Sequence, residues 1–156
     1  MSDRFVTHDT MVLERHYPAA PERVFAAFAE PAAKVAWWFS GDDDMTRTDH
    51  EMDFRVGGRE YGRATVGDTG PVFVFDARYD DIVENRRIVY SYFMSRDDVR
   101  ISVSVTCIEF AADGDGTRLV LTEHGVYLDG EDQPEFRKEG IGEQLDGLGR
   151  MLAAAP

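Results

Sequence analysis

DQPEFRKEGIGEQLDGLGRMLAA, residues 132–154, decides how the rest of the chain must be arranged. Ile141, Leu145, Leu148 and Leu152 recur at i, i+4, i+7 and i+11, which is one narrow apolar stripe along a helix of roughly 20 residues. Asp132 or Pro134 can open it, and Asp132, Glu135 and Glu139 stand near its positive N-terminal end. Phe136 projects away from the stripe. Gly140, Gly142, Gly147 and Gly149 lie inside the helix, each costing on the order of 1 kcal/mol against alanine. At about 100° per residue, Gly142 and Gly149 fall beside the stripe, and Gly140 and Gly147 fall nearly opposite. Side chains missing from the edge of a buried face leave room, either for a sheet to pack close or for a cavity.

A single stripe needs one covering surface, and the residues upstream supply strands. Met11, Leu13 and Tyr17 alternate with Val12, Glu14 and His16, a first strand that Pro18 and Pro21 end. Val24, Phe25 and Phe28 follow Pro21 at helical spacing, and Pro31 can open a second short helix through Val35 to Trp38 or Phe39. Gly41 with Asp42, Asp43 and Asp44 reads as a loop. Met52, Phe54 and Val56 alternate before Gly57-Gly58, a hairpin signal. Further strands are expected over Arg59–Val66, Phe73–Val83, Ile88–Met94, Arg100–Phe110 and Thr117–Val126, separated by turns rich in Gly, Asp and Asn. Hairpin connections make such a sheet antiparallel. The expected class is therefore α+β: a curved antiparallel sheet wrapped around a long C-terminal helix, with two short helices after the first strand.

Composition narrows the function classes. The chain has 156 residues, so 1–156 is expected to be a single domain. Its 43% hydrophobic content suffices for a substantial core. A net charge of −13 argues against nucleic acid and against anionic membrane surfaces as partners. Cys107 is the sole cysteine, so no internal disulfide can form, which suits a reducing, cytoplasmic setting. The opening MSDRFVTHDT has no apolar run, so no signal peptide is expected, and no stretch approaches 18 apolar residues.

Motifs for chemistry are sparse. His8, His16, His50 and His124 include no i, i+4 pair and none neighbours Cys107, so no zinc site is expected. Asp42-Asp43-Asp44 lacks the alternation of an EF-hand loop. Gly57-Gly58 precedes a strand rather than a helix and is not a phosphate loop. No Gly-x-Ser-x-Gly is present. No cofactor is expected. The carboxylate of interest is Glu123. If Leu119 and Leu121 face the helix, period two puts Glu123 on the same face, near the strand end. In an apolar pocket its pKa would be raised, fitting it to act as an acid or to bind a polar ligand group. The alternative is a rim carboxylate paired with an arginine such as Arg55 or Arg63. Trp37, Trp38, Phe54, Tyr61, Phe73, Phe75, Tyr79, Tyr90 and Tyr92 would crowd the inner face and the short helices. They fit either an ordinary core or an apolar small-molecule pocket.

Several short stretches carry a resemblance: Pro21-Glu22-Arg23-Val24-Phe25, Glu30-Pro31 with Trp37-Trp38, Phe54-Arg55-Val56-Gly57-Gly58, Tyr79 with Arg87-Ile88-Val89-Tyr90, Gly116-Thr117-Arg118-Leu119, Leu121-Thr122 with Gly125, and the helix holding Leu145 and Leu148. In this order, from about Leu13 to Leu152, the sequence resembles the START-like (SRPBCC) superfamily. Within it, it is most similar to the family named for homology to the activator of the heat-shock protein 90 ATPase. The resemblance implies a helix-grip fold and a hydrophobic or amphipathic ligand held between sheet and helix. It departs from the family at Ile141, where an aromatic is expected, and in its extra glycines. The candidate ligand-binding residues are Trp37, Trp38, Phe54, Tyr61, Phe75, Tyr79, Tyr92, Glu123, Leu145, Leu148 and Gly149. No catalytic residue is assigned. The alternatives to ligand binding are a chaperone-related interaction module and a small cyclase or hydrolase using a pocket carboxylate. Val103, Val105, Cys107 and Val120 are expected on the outer sheet face, where a homodimer could cover them.

Overall fold

The computed structural model describes residues 3–39 and 45–154. The chain runs β1 (Val6–Tyr17), α1 (Pro21–Ala29), α2 (Pro31–Trp38), β2 (Met45–Met52), β3 (Arg59–Val66), β4 (Val72–Val83), β5 (Arg87–Arg96), β6 (Val99–Asp113), β7 (Gly116–Leu128) and α3 (Pro134–Ala154). The strands form one curved antiparallel sheet of seven, in the order β1-β7-β6-β5-β4-β3-β2. Every strand from β2 to β7 pairs with its neighbour in sequence. β1 closes the other side by pairing with β7 along its whole length, from Val6 opposite Leu128 to Tyr17 opposite Thr117. That pairing explains why β1 begins well before Met11: β7 runs to Leu128 and offers it a partner at every position.

The inner face follows the period-two reading. Leu13 on β1, Phe110 on β6 and Leu119 and Leu121 on β7 are buried against the helices, together with Leu145, Leu148 and Leu152 of α3. Each of the two short helices starts on a proline, whose fixed φ suits the first helical position and whose missing N–H has no partner to lose there. Phe28 packs edge-on against Trp37 with ring centroids 4.8 Å apart, which locks α1 to α2. The indole N–H of Trp37 donates to the Ala27 carbonyl at 2.9 Å.

One local reading is corrected. The Met52-Phe54-Val56 alternation does not belong to a strand entering a hairpin; β2 ends at Met52. Residues 53–58 instead close a tight turn in which the Arg55 N–H donates to the Asp53 carbonyl and the Gly58 N–H to that of Arg55. Gly57 sits at φ +84°, and a Cβ on Gly58 would lie 2.1 Å from the Asp53 carbonyl oxygen. Only glycine fits either place. The turn is tied to β4 by paired backbone bonds with Tyr79. Ile101 shares sequence parity with Val103, yet it points inward and is buried. β5 and β6 lose register between Met94 and Ser95, which skips Ile101 and turns it over. The loop expected at Gly41 to Asp44 lies outside the described residues.

Among the described residues no helix is long and apolar enough to cross a membrane.

Candidate functional site

The inner face and α3 do not meet along their whole length. Toward the N-terminal half of α3 they separate around a cavity of about 730 Å³. Its sheet wall is made by Ala64 on β3, Phe73 and Phe75 on β4, Tyr90, Tyr92 and Met94 on β5, Ile101 and Ile108 on β6, and Leu121 and Glu123 on β7. Phe136, Arg137, Gly140, Ile141, Gln144 and Leu145 supply the helix wall, and Trp37, Trp38 and Phe39 the end of α2. The aromatic rings are held in fixed orientations by one another. Trp38 lies 5.3 Å from Phe75, and Phe75 lies 4.8 Å from Tyr92.

Polar groups concentrate at one end. Glu123 is 1% exposed. Its Oε1 accepts from the Tyr92 hydroxyl at 2.8 Å and from Thr106 Oγ1 at 2.7 Å. Among the described residues its Oε2 has no hydrogen-bond partner. The Arg137 guanidinium approaches Oε2 no closer than 3.8 Å, because it is committed elsewhere: to the Tyr92 hydroxyl at 2.9 Å, Ser102 Oγ at 2.7 Å and Asp132 at 2.7 Å. Burial pushes the Glu123 carboxyl above its ordinary range, and the bonds from Thr106 and Tyr92 and the charge of Arg137 pull it only partly back.

A second buried network stands behind Trp38. Lys34 and Glu60 are both almost fully buried and pair at 2.9 Å. The Tyr79 hydroxyl donates to the same carboxylate at 2.5 Å, and His50 Nε2 lies 3.0 Å from its other oxygen. The Lys34 ammonium also sits 4.1 Å from the centroid of the Trp38 ring. Burial alone would raise the Glu60 carboxyl, but the charge of Lys34 and the three bonds outweigh it and hold the group at about 2. This network supports α2 from below and does not line the cavity. Among the described residues no three histidine, cysteine or carboxylate side chains converge to hold a metal ion.

Six of the eleven candidate ligand-binding residues come together on the cavity wall: Trp37, Trp38, Phe75, Tyr92, Glu123 and Leu145. The others lie elsewhere. Phe54 packs edge-on between Phe25 and Tyr79, partly buried at the margin of the core. Tyr79 is turned to Glu60. Tyr61 is on the outer parity of β3, under the Arg59 guanidinium. Leu148 is buried in the core one turn past the cavity. Gly149 faces β1: a Cβ there would lie 3.3 Å from the Tyr17 ring, whose hydroxyl donates to the Leu145 carbonyl at 2.7 Å. A Cβ on Gly142 would likewise meet the Arg15 guanidinium at 3.3 Å. These two glycines serve close packing on β1 and leave no room for a ligand. Gly140, read as far from the stripe, is exposed and lines the cavity, whereas Gly147 is buried. The cation facing Glu123 is Arg137; Arg55 pairs with Asp53 at 2.7 Å. Arg137 went unread, although it sits four residues before Ile141 and so extends the apolar stripe by one turn.

Residues 18–153 match the family model described as activator of Hsp90 ATPase homolog 1-like protein. An uncharacterised protein from Rhizobium leguminosarum is 38% identical with a TM-score of 0.90, over 99% of this chain and 100% of its own. A protein from Rhizobium loti is 42% identical with a TM-score of 0.86, over 94% and 98%. An AHSA1-like protein from Aeromonas hydrophila, at 21% identity, shares the fold with a TM-score of 0.69 over 94% and 93%. No curated protein matches. With the family model spanning both short helices, strands β2 to β7 and nearly all of α3, the chain belongs to the activator of Hsp90 ATPase homolog 1-like family.

Proposed function

We propose that this protein binds an apolar or amphipathic small molecule in the cavity between the sheet and α3. One observation carries the reading: a space of about 730 Å³ is walled mainly by aromatic and aliphatic side chains and carries a buried, half-satisfied carboxylate at one end. Ligand sites run to roughly 300–1,000 Å³ and combine apolar walls with a few placed polar groups. A core that needed only stability would close such a space, since each void forfeits dispersion contacts. Family membership adds the fold but not the ligand, because one fold hosts many functions.

Native mass spectrometry of the purified protein tests the reading. The expected spectrum contains a species heavier than the chain by the mass of one small organic molecule, which is lost on denaturation. A bare chain that also takes up no apolar probe would contradict it. The family description supports a second reading, a contact with an Hsp90-type chaperone. Stimulation of that chaperone's ATPase by this protein would favour it.

A further inference from the structure

We infer that the molecule bound in this cavity is a neutral alcohol or phenol whose hydroxyl donates to Oε2 of Glu123; the inference rests on the binding reading above. The starting point is the asymmetry of one carboxylate. Both bonds that Glu123 receives fall on Oε1, from Tyr92 and Thr106. Among the described residues Oε2 is buried without a donor, and the nearest cation, Arg137, stands at 3.8 Å, beyond hydrogen-bond length. Native proteins rarely leave a buried acceptor in this state, so a group from outside the chain is the natural donor. Glu123 lines the cavity, so that donor can come with the ligand.

The surroundings select among donors. A carboxylate or phosphate ligand brings no proton at neutral pH and so has no donor to offer Oε2. An ammonium could donate, but it would sit beside the Arg137 guanidinium, which already lies against Tyr92, Ser102 and Asp132. Two cations in a site of low dielectric repel strongly. A hydroxyl avoids both conflicts. It gives its proton to Oε2, and its oxygen can accept the second N–H on Nη1 of Arg137, the first being given to Tyr92. The remainder of the ligand meets rings of Trp38, Phe75, Tyr90 and Tyr92, which suit a flat or ring-containing apolar body.

Four matched fluorescent probes separate this inference from the binding reading: 1-methylpyrene, 1-pyrenemethanol, 1-pyrenemethylammonium and 1-pyrenecarboxylate. Each is titrated at neutral pH into the wild type and Glu123→Gln. A cavity without a free acceptor prefers the hydrocarbon, since burying an unpaired hydroxyl is unfavourable. The expected result is the reverse: the alcohol binds the wild type about tenfold or more tightly than 1-methylpyrene, the scale of a hydrogen bond to a charged group. In Glu123→Gln, which puts an amide N–H₂ where the acceptor stood, that preference disappears. If 1-methylpyrene binds as well as the alcohol, the hydroxyl inference is overturned and the binding reading stands. Tightest binding of the ammonium or the carboxylate overturns it likewise. So does an alcohol preference that survives Glu123→Gln. If none of the four binds, the cavity reading falls and the inference with it. The comparison within the wild type needs no variant, so it holds even should Glu123→Gln fold poorly.

Discussion

Glu60 and Glu123 are both buried beneath the inner face of the sheet, and their neighbours push them in opposite directions. Glu60 is surrounded by Lys34, His50 and Tyr79; burial alone would raise it, but the lysine charge and the three hydrogen bonds together outweigh desolvation and hold it at about 2. A folded-state value below the ordinary 4.5 contributes stability that is present above 4.5 and is lost as pH falls toward 2. Glu123 has only the distant Arg137 charge and two hydroxyl donors, so desolvation wins and its value is raised. There the sign is opposite: the contribution is complete below the ordinary 4.5 and is lost as pH rises through the folded-state value. Glu123→Gln, which cannot ionise, should therefore gain stability relative to the wild type as pH rises from 4.5, then level off. Paired thermal melts between about pH 4 and pH 8 measure this, and a gap that does not change with pH would show that Glu123 is not held as the structure has it. The inward direction of Glu123 was legible in the sequence because strand period is 2 and Leu119 and Leu121 fixed the parity. Its partner was not, because an apolar-stripe search stops at the first charged position and Arg137 is that position.

At the scale of the element, α3 shows what glycines inside a helix do here. The sequence left two readings open, and the helix answers each glycine separately. Gly142 and Gly149 let Arg15 and Tyr17 of β1 reach the helix backbone, with the Arg15 Nε also pairing Asp146 at 2.8 Å. A Cβ added at Gly140 meets nothing within 4 Å. Gly140→Ala should thus raise stability by roughly 0.4–1 kcal/mol, the ordinary gain from a better helix former and a stiffer unfolded chain. Gly149→Ala should fall short of that or destabilise, because the Tyr17 ring lies 3.3 Å away and is anchored by its hydroxyl. Urea melts of both variants decide it, and equal gains would mean that α3 does not sit against Tyr17 as described. Element boundaries were less legible than element order. Three alternating residues before Gly57-Gly58 imitate a strand, and only the carbonyls of Asp53 and Arg55 reveal a turn. The skip at Ile101 depends on how β5 pairs with β6, which no reading of one strand alone can supply.

On the scale of the whole molecule, the sheet uses its two faces differently. The inner face grips α3, and the outer face leaves Val12, Val103 and Val105 exposed at 56%, 43% and 45%. A two-fold dimer closed over these valines is the prediction here. Sedimentation equilibrium should return twice the chain mass, and Val105→Asp should halve it while leaving the fold intact; a wild-type monomer at tens of micromolar would leave the valines as ordinary strand surface. The arrangement of strand, short helices, six strands and long helix was legible because one Leu stripe demands one covering sheet. The cavity was legible only in outline, since aromatic residues on one parity fit both a filled and an open interior. What decides between them is where α3 leaves the sheet, and that follows from packing over its whole length. The central claim is that this opening holds an apolar ligand, and methyl NMR titration with 1-pyrenemethanol tests it most directly. Saturable shifts at Ile101, Ile108, Leu121, Ile141 and Leu145, with Val12, Val103 and Val105 unmoved, are the predicted result; shifts confined to the outer-face valines, or none at all, would contradict it.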